Sequence, residues 1–91
     1  MILYEDKEFK IKRNSRDYVL IRKNMPYEYH SHFRRKSGAD TVINLFYKNI
    51  KPNKKYFETA IRRVTTKEEF HNLRIKKRKL SYRNDTGYRK G

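Results

Sequence analysis

Two short stretches near the start of the chain carry their apolar side chains in strand fashion. Glu8-Phe9-Lys10-Ile11-Lys12 alternates polar and apolar residues, the period of a half-buried strand. Tyr18-Val19-Leu20-Ile21 is a short aromatic and β-branched run, which suits a pleated, packed surface. Arg13-Asn14-Ser15-Arg16-Asp17 lies between them and has turn-forming chemistry. The economical reading is a β-hairpin. An isolated hairpin is marginally stable, so a second layer must cover it. Asn24-Met25-Pro26 then breaks the pattern. After it Tyr27, Tyr29, Ser31 and Phe33 alternate with Glu28, His30, His32 and Arg34. Two readings fit: a third antiparallel strand with an aromatic inner face, or an ordered loop.

From Ser37 the period becomes helical. Ala39, Val42, Ile43, Phe46 and Ile50 recur at three- and four-residue intervals, one face of an amphipathic helix. Ser37-Gly38-Ala39-Asp40 has the form of a capping box with Asp in place of Glu, and Pro52 should end the helix at about Lys51. Asn53 is placed to cap a second helix whose buried stripe is Phe57, Ala60, Ile61 and Val64. Thr66-Lys67-Glu68-Glu69 is a fuller capping box and predicts a third helix with Phe70 and Leu73 inward. Beyond Leu73 the apolar period fades, and Asn84-Asp85-Thr86-Gly87 is a turn signal. The expected class is α+β. An N-terminal β-hairpin, or a three-stranded antiparallel sheet, packs against two or three short helices. Residues 1–80 form a single small domain and residues 81–91 a basic, flexible tail.

Composition changes this picture through charge. The 91 residues hold 25 Lys and Arg against 10 Asp and Glu, a net charge of +15. The excess rises along the chain: net +2 over residues 1–30, +5 over 31–60 and +8 over 61–91. Charge this far from zero opposes compaction by self-repulsion and attracts polyanions. A chain that presents one basic end to a phosphate backbone has a use for such a gradient. Hydrophobic residues make up only 35%, so the core must be small, with 5 Phe and 8 Tyr partly offsetting the shortage. The absence of cysteine excludes disulfides, thiolate metal sites and cysteine nucleophiles. No stretch approaches 18 apolar residues, so no membrane partner is expected. Residues 1–12 hold no apolar run suited to a signal peptide, which makes the cytoplasm the expected location. The Lys-, Ile-, Asn- and Tyr-rich usage resembles that of an AT-rich bacterial or phage genome.

The strongest candidate chemistry is the basic segment 74–91. It carries Arg74, Lys76, Lys77, Arg78, Lys79, Arg83, Arg89 and Lys90 against Asp85 alone, with Tyr82 and Tyr88 interleaved. Cations neutralise phosphates and release counterions, and tyrosines can stack on unpaired bases. A helix dipole favours one or two cations at a C-terminus. It does not account for five in six residues. The bland reading is a solvated helix end followed by a tail. Arg34-Arg35-Lys36 stands just before the Ser37 helix, where the dipole repels positive charge; a phosphate there would meet three cations and free backbone N–H groups, with Gly38 allowing close approach. The bland alternative is a solvated loop. Arg62 and Arg63 extend the basic surface or are simply a solvated helix face. His30 and His32, two apart on a strand, could share a metal, with Glu28 on the same face. No recognised metal spacing, phosphate loop or nucleophile motif accompanies them, so no metal, cofactor or catalytic residue is expected.

The leading expectation is a small nucleic-acid-binding accessory or regulatory protein, of DNA or RNA, and not an enzyme. Its contacts would come from Arg34, Arg35, Lys36, Arg62, Arg63, Arg74, Lys76, Lys77, Arg78, Lys79, Tyr82 and Arg83. Two further classes compete. One is a phage or mobile-element inhibitor that docks on a nucleic-acid enzyme or its complex, as anti-CRISPR proteins do in general terms. The other is a small ribonuclease toxin, against which 3 His and the missing site motif weigh.

Overall fold

The structure, a computed structural model, describes residues 1–75. The chain builds four strands, β1 (Ile2–Glu5), β2 (Phe9–Arg13), β3 (Tyr18–Arg22) and β4 (His30–Phe33). They form one antiparallel sheet in the order β1-β2-β3-β4. Three helices follow: α1 (Lys36–Lys48), α2 (Lys55–Arg63) and α3 (Lys67–His71). Between and after them β5 (Ile50–Lys51) pairs in parallel with β6 (Arg74–Ile75). The class is α+β, as the periodicity indicates. The hairpin forms over β2 and β3, and residues 30–33 settle as a strand.

The register decides what is buried. Ile11 lies opposite Leu20, Leu20 opposite Ser31, and Tyr18 opposite Phe33. Phe9, Ile11, Leu20, Ser31 and Phe33 therefore share the inner face, where each is almost fully enclosed. Ala39, Val42 and Ile43 of α1 cover this face, together with Ala60 and Ile61 of α2 and the adjoining Val64 and Leu73. Each fully buried aliphatic or aromatic side chain adds about 1.5–3 kcal/mol of transfer free energy. Ser31 is the one uncharged polar residue buried in that row. Its hydroxyl donates to the Ala60 carbonyl at 2.7 Å, which ties β4 to α2 and satisfies a group that would otherwise be costly to bury.

Several local expectations are corrected. Strand β1 carries no burial signal, because Met1, Ile2, Leu3 and Tyr4 are exposed. The ladder to β2 holds it, and Asp6 closes the turn by accepting from the Glu8 and Phe9 amides at 2.9 and 2.7 Å. The Tyr4 and Tyr47 hydroxyls donate to the other Asp6 oxygen. Burial opposes the Asp6 charge, but these four hydrogen bonds outweigh it and hold the carboxyl below its ordinary value. Burial first, and the Asp6 bond second, push Tyr47 up to about 12. Tyr27 and Tyr29 do not form an aromatic inner face: they precede β4, and Tyr27 is exposed.

The helix ends shift as well. Arg35, not Ser37, occupies the N-cap of α1, with no side-chain cap. Ser37 lies inside the first turn, and its carbonyl accepts from the Thr41 hydroxyl. Helix α1 stops at Lys48 because Asn49 turns left-handed (φ 62°) and returns its N–H to the Leu45 and Phe46 carbonyls, a capping geometry that Asn tolerates. Ile50 thereby leaves the helix face and enters β5. Lys54 replaces Asn53 at the N-cap of α2. The Thr66–Glu69 capping box of α3 forms in full. Phe46 and Phe57 pack against the core half-buried.

Gly38 sits beneath Phe33. A Cβ there would lie 2.8 Å from the Phe33 ring. Gly38→Ala should therefore destabilise by about 1–3 kcal/mol through overpacking, although alanine is the better helix former by up to about 1 kcal/mol. A thermal melt checks the sign, and a raised Tm would refute the contact. No helix among the described residues is long and apolar enough to cross a membrane.

Candidate nucleic-acid interface

Helix α2 turns Ala60 and Ile61 inward. At 100° per residue this leaves Lys55, Tyr56, Thr59, Arg62 and Arg63 outside, and all five are exposed. The polar face of α2 is thus a basic strip carrying one aromatic ring. On one flank Arg62 lies over the Phe70 ring, its guanidinium carbon 4.6 Å from the centroid. The Lys51 ammonium, delivered by β5, stands 5.0 Å from the same centroid. Lys67 and His71 stand four residues apart on α3 and complete the rim of an open cleft of about 540 Å³. Among the described residues no carboxylate lines it. Glu69, on the same short helix, is engaged with Arg22 instead. Glu58 approaches Arg62 only to 3.7 Å, with both side chains exposed, a pair worth little in water.

Arg63 faces the other flank. With His32, Lys55, Tyr56 and Thr59 it lines a second concavity of about 310 Å³ between α2 and β4. A third depression, bordered by Arg62, Arg63, Lys67, Tyr29 and Glu28, joins the two. The His32 Nδ1 is 2.8 Å from an Asp17 carboxylate oxygen. Against that carboxylate Nδ1–H is the donor. His30 and His32 do share a face, their rings in edge contact with centroids 5.1 Å apart. Among the described residues no three of His, Asp and Glu gather as a metal-binding group.

The residues singled out from sequence do not form one cluster. Arg62 and Arg63 are both in the strip. Arg34 and Arg35 are exposed at the β4–α1 junction, beyond Phe33, whose ring meets Tyr56 of α2 at 6.2 Å between centroids. Lys36 has an internal partner, its ammonium 3.0 and 3.1 Å from the two Asp40 oxygens. The dipole problem at this helix start is thus relieved by a carboxylate one turn on, and the space that glycine leaves at position 38 is filled by Phe33. Arg74 is exposed on β6, its amide bonded to the Asn49 carbonyl. Lys76, Lys77, Arg78, Lys79, Tyr82 and Arg83 lie outside the described residues, as does the 80/81 domain boundary.

Sequence reasoning missed Lys51, Lys55, Tyr56, Lys67, Phe70 and His71. Each reads alone as an ordinary helix or loop residue, and only the packing of α2 against α3 and β5 brings them together. It also missed Arg22, which lies in the buried row of β3 and joins Glu8 to Glu69. No family model, curated protein or solved structure matches the chain.

Proposed function

We propose that this protein binds nucleic acid through the phosphate backbone, using the α2–α3 face together with the basic segment 74–91. The observation that carries the reading is the convergence of Lys51, Arg62, Lys67 and His71 on one cleft with no carboxylate in its lining among the described residues. Like charges repel, so gathering them works against the fold unless a polyanion is the partner. The net charge of +15, rising toward the C-terminus, supports the same conclusion, as does the shared basic border of the three concavities. The role that fits is an accessory or regulatory binder.

Binding should weaken steeply with salt. Five or six phosphate contacts give a log–log slope of about −4 to −6, read from anisotropy titrations between 50 and 200 mM salt, concentrations that span the useful range for such proteins. Replacing Lys51, Arg62 and Lys67 together with Gln should make the slope shallower by about 2–3 and weaken binding by about tenfold or more. Arg62 and Lys67 are exposed and Lys51 is half-buried at the cleft, so circular dichroism should show an unchanged fold. An unaltered slope in the triple variant would move the interface away from α2–α3.

A further inference from the structure

The second concavity says what form of nucleic acid suits this face. We infer that the protein takes single-stranded nucleic acid, with the Tyr56 ring as a stacking platform for an unpaired base. This rests on the nucleic-acid reading above and narrows it.

Tyr56 is 56% exposed although it is a large aromatic side chain in a chain short of core material. Phe33 and Phe57 meet its ring at steep angles, 80° and 75°, with centroids 6.2 and 5.1 Å away. Neither neighbour is stacked parallel on the Tyr56 ring. Around it stand Lys55 and Arg63, two cations able to hold phosphates, and His32, steadied by Asp17. A ring held in place and flanked by cations is what sequence-tolerant binding of unpaired bases requires, because every base has a π-face while the backbone contacts set the track. A duplex keeps its bases stacked on one another and offers none to Tyr56.

The connection between the concavities extends the argument. Arg63 belongs to the Tyr56 concavity and to the depression beside it, and Arg62 and Lys67 belong to that depression and to the Phe70 cleft. A flexible strand can follow such a bent series of hollows around α2. A rigid duplex can touch only its rims. The 2′-hydroxyl distinguishes RNA from DNA, and both share the base faces and phosphates used here.

The test is an anisotropy titration of the full-length protein with labelled oligonucleotides of one length and sequence, as single-stranded RNA, single-stranded DNA and the duplex of that DNA, at one salt concentration. Either single strand, or both, should bind about tenfold or more tightly than the duplex. Tyr56→Ala should weaken the single strand by about tenfold and leave duplex affinity unchanged. Tyr56→Phe should retain parental affinity, since it keeps the ring. Tyr56→Leu controls for lost packing against Phe33 and Phe57, and should bind like Tyr56→Ala while melting close to the parent. Duplex binding as tight as single-strand binding, or equal losses in Tyr56→Ala and Tyr56→Phe, would overturn the inference and leave the phosphate-binding reading standing. No binding to any of the three would remove both.

Discussion

Replacing Arg22 with Met should cost about 3–5 kcal/mol of folding free energy, because it breaks a buried charge network from its centre. The Arg22 side chain is 6% exposed. Its guanidinium donates to the Val64 carbonyl at 2.9 Å, to both Glu69 oxygens at 2.9 and 2.7 Å, and twice to a Glu8 oxygen at 3.1 and 3.2 Å. These five bonds use all the N–H capacity of an arginine. The same group lies over Phe46 and Phe9, 4.8 and 5.5 Å from their centroids. One cation thereby joins β2, β3 and α3 and the link after α2. Methionine would fill much of the volume, but it would strand the Val64 carbonyl and leave two carboxylates facing each other. Glu8 and Glu69 are each about one-third exposed, so water would soften their repulsion and hold the loss toward the lower end of that range. A chain of this length has roughly 5–14 kcal/mol in all, and the variant should unfold at much lower urea. A loss under about 1 kcal/mol would show that the network is not what holds α3 in place.

The network also sets a pH dependence. The hydrogen bond from Arg22, ahead of those from Thr66, holds the Glu69 carboxyl below its ordinary value despite the opposing effect of burial. A carboxyl with a depressed folded-state pKa stabilises the fold fully above its unfolded value, about 4.3, and loses that contribution as pH falls through the folded value. Stability of the parent should therefore drop as the solution is acidified below about pH 5. The Arg22→Met curve should be flatter over the same interval, since its Glu69 no longer has the partner that lowers it.

How much of this was legible in the sequence depends on whether an element announces itself by burial. The hairpin was readable because Phe9, Ile11 and Leu20 mark one face at period two, and α1 and α2 because Val42, Ile43, Ala60 and Ile61 mark helical stripes. The capping box of the third helix is readable because Thr66 and Glu69 stand at the required spacing. β1 was not, since exposed Ile2 and Leu3 resemble any polar-flanked end, and its turn depends on one carboxylate, Asp6. The end of α1 was misplaced because Pro52 is a louder stop than an asparagine able to turn left-handed at position 49. Arg22 was passed over because a charge beside an apolar run reads as the solvent end of a strand, and its two partners are 14 and 47 residues away. The candidate interface was least legible of all. Counting charges along the chain located basic segments, whereas the cleft at Phe70 takes one cation from β5, one from α2 and one from α3.

The contact between Phe33 and Gly38 yields a prediction whose sign should reverse. Phe33 is 1% exposed on the inner face of β4, and Phe33→Ala should destabilise by about 3–5 kcal/mol through lost burial and the cavity left behind. That cavity opens directly over position 38, where a Cβ would otherwise meet the ring at 2.8 Å. In the Phe33→Ala background the added methyl group of Gly38→Ala has room. The steric cost disappears, and the helix preference of alanine over glycine, up to about 1 kcal/mol, remains. Gly38→Ala should thus destabilise the parent and stabilise the Phe33→Ala variant, a coupling of about 1–3 kcal/mol in a double-mutant cycle, within the range for residues in direct contact. Where Phe33→Ala alone leaves too little folded protein, an excluded osmolyte can raise all four members of the cycle into the measurable range. An equal cost of Gly38→Ala in both backgrounds would mean that some neighbour other than Phe33 excludes the methyl group. The close approach of α1 to β4 would then need a different cause.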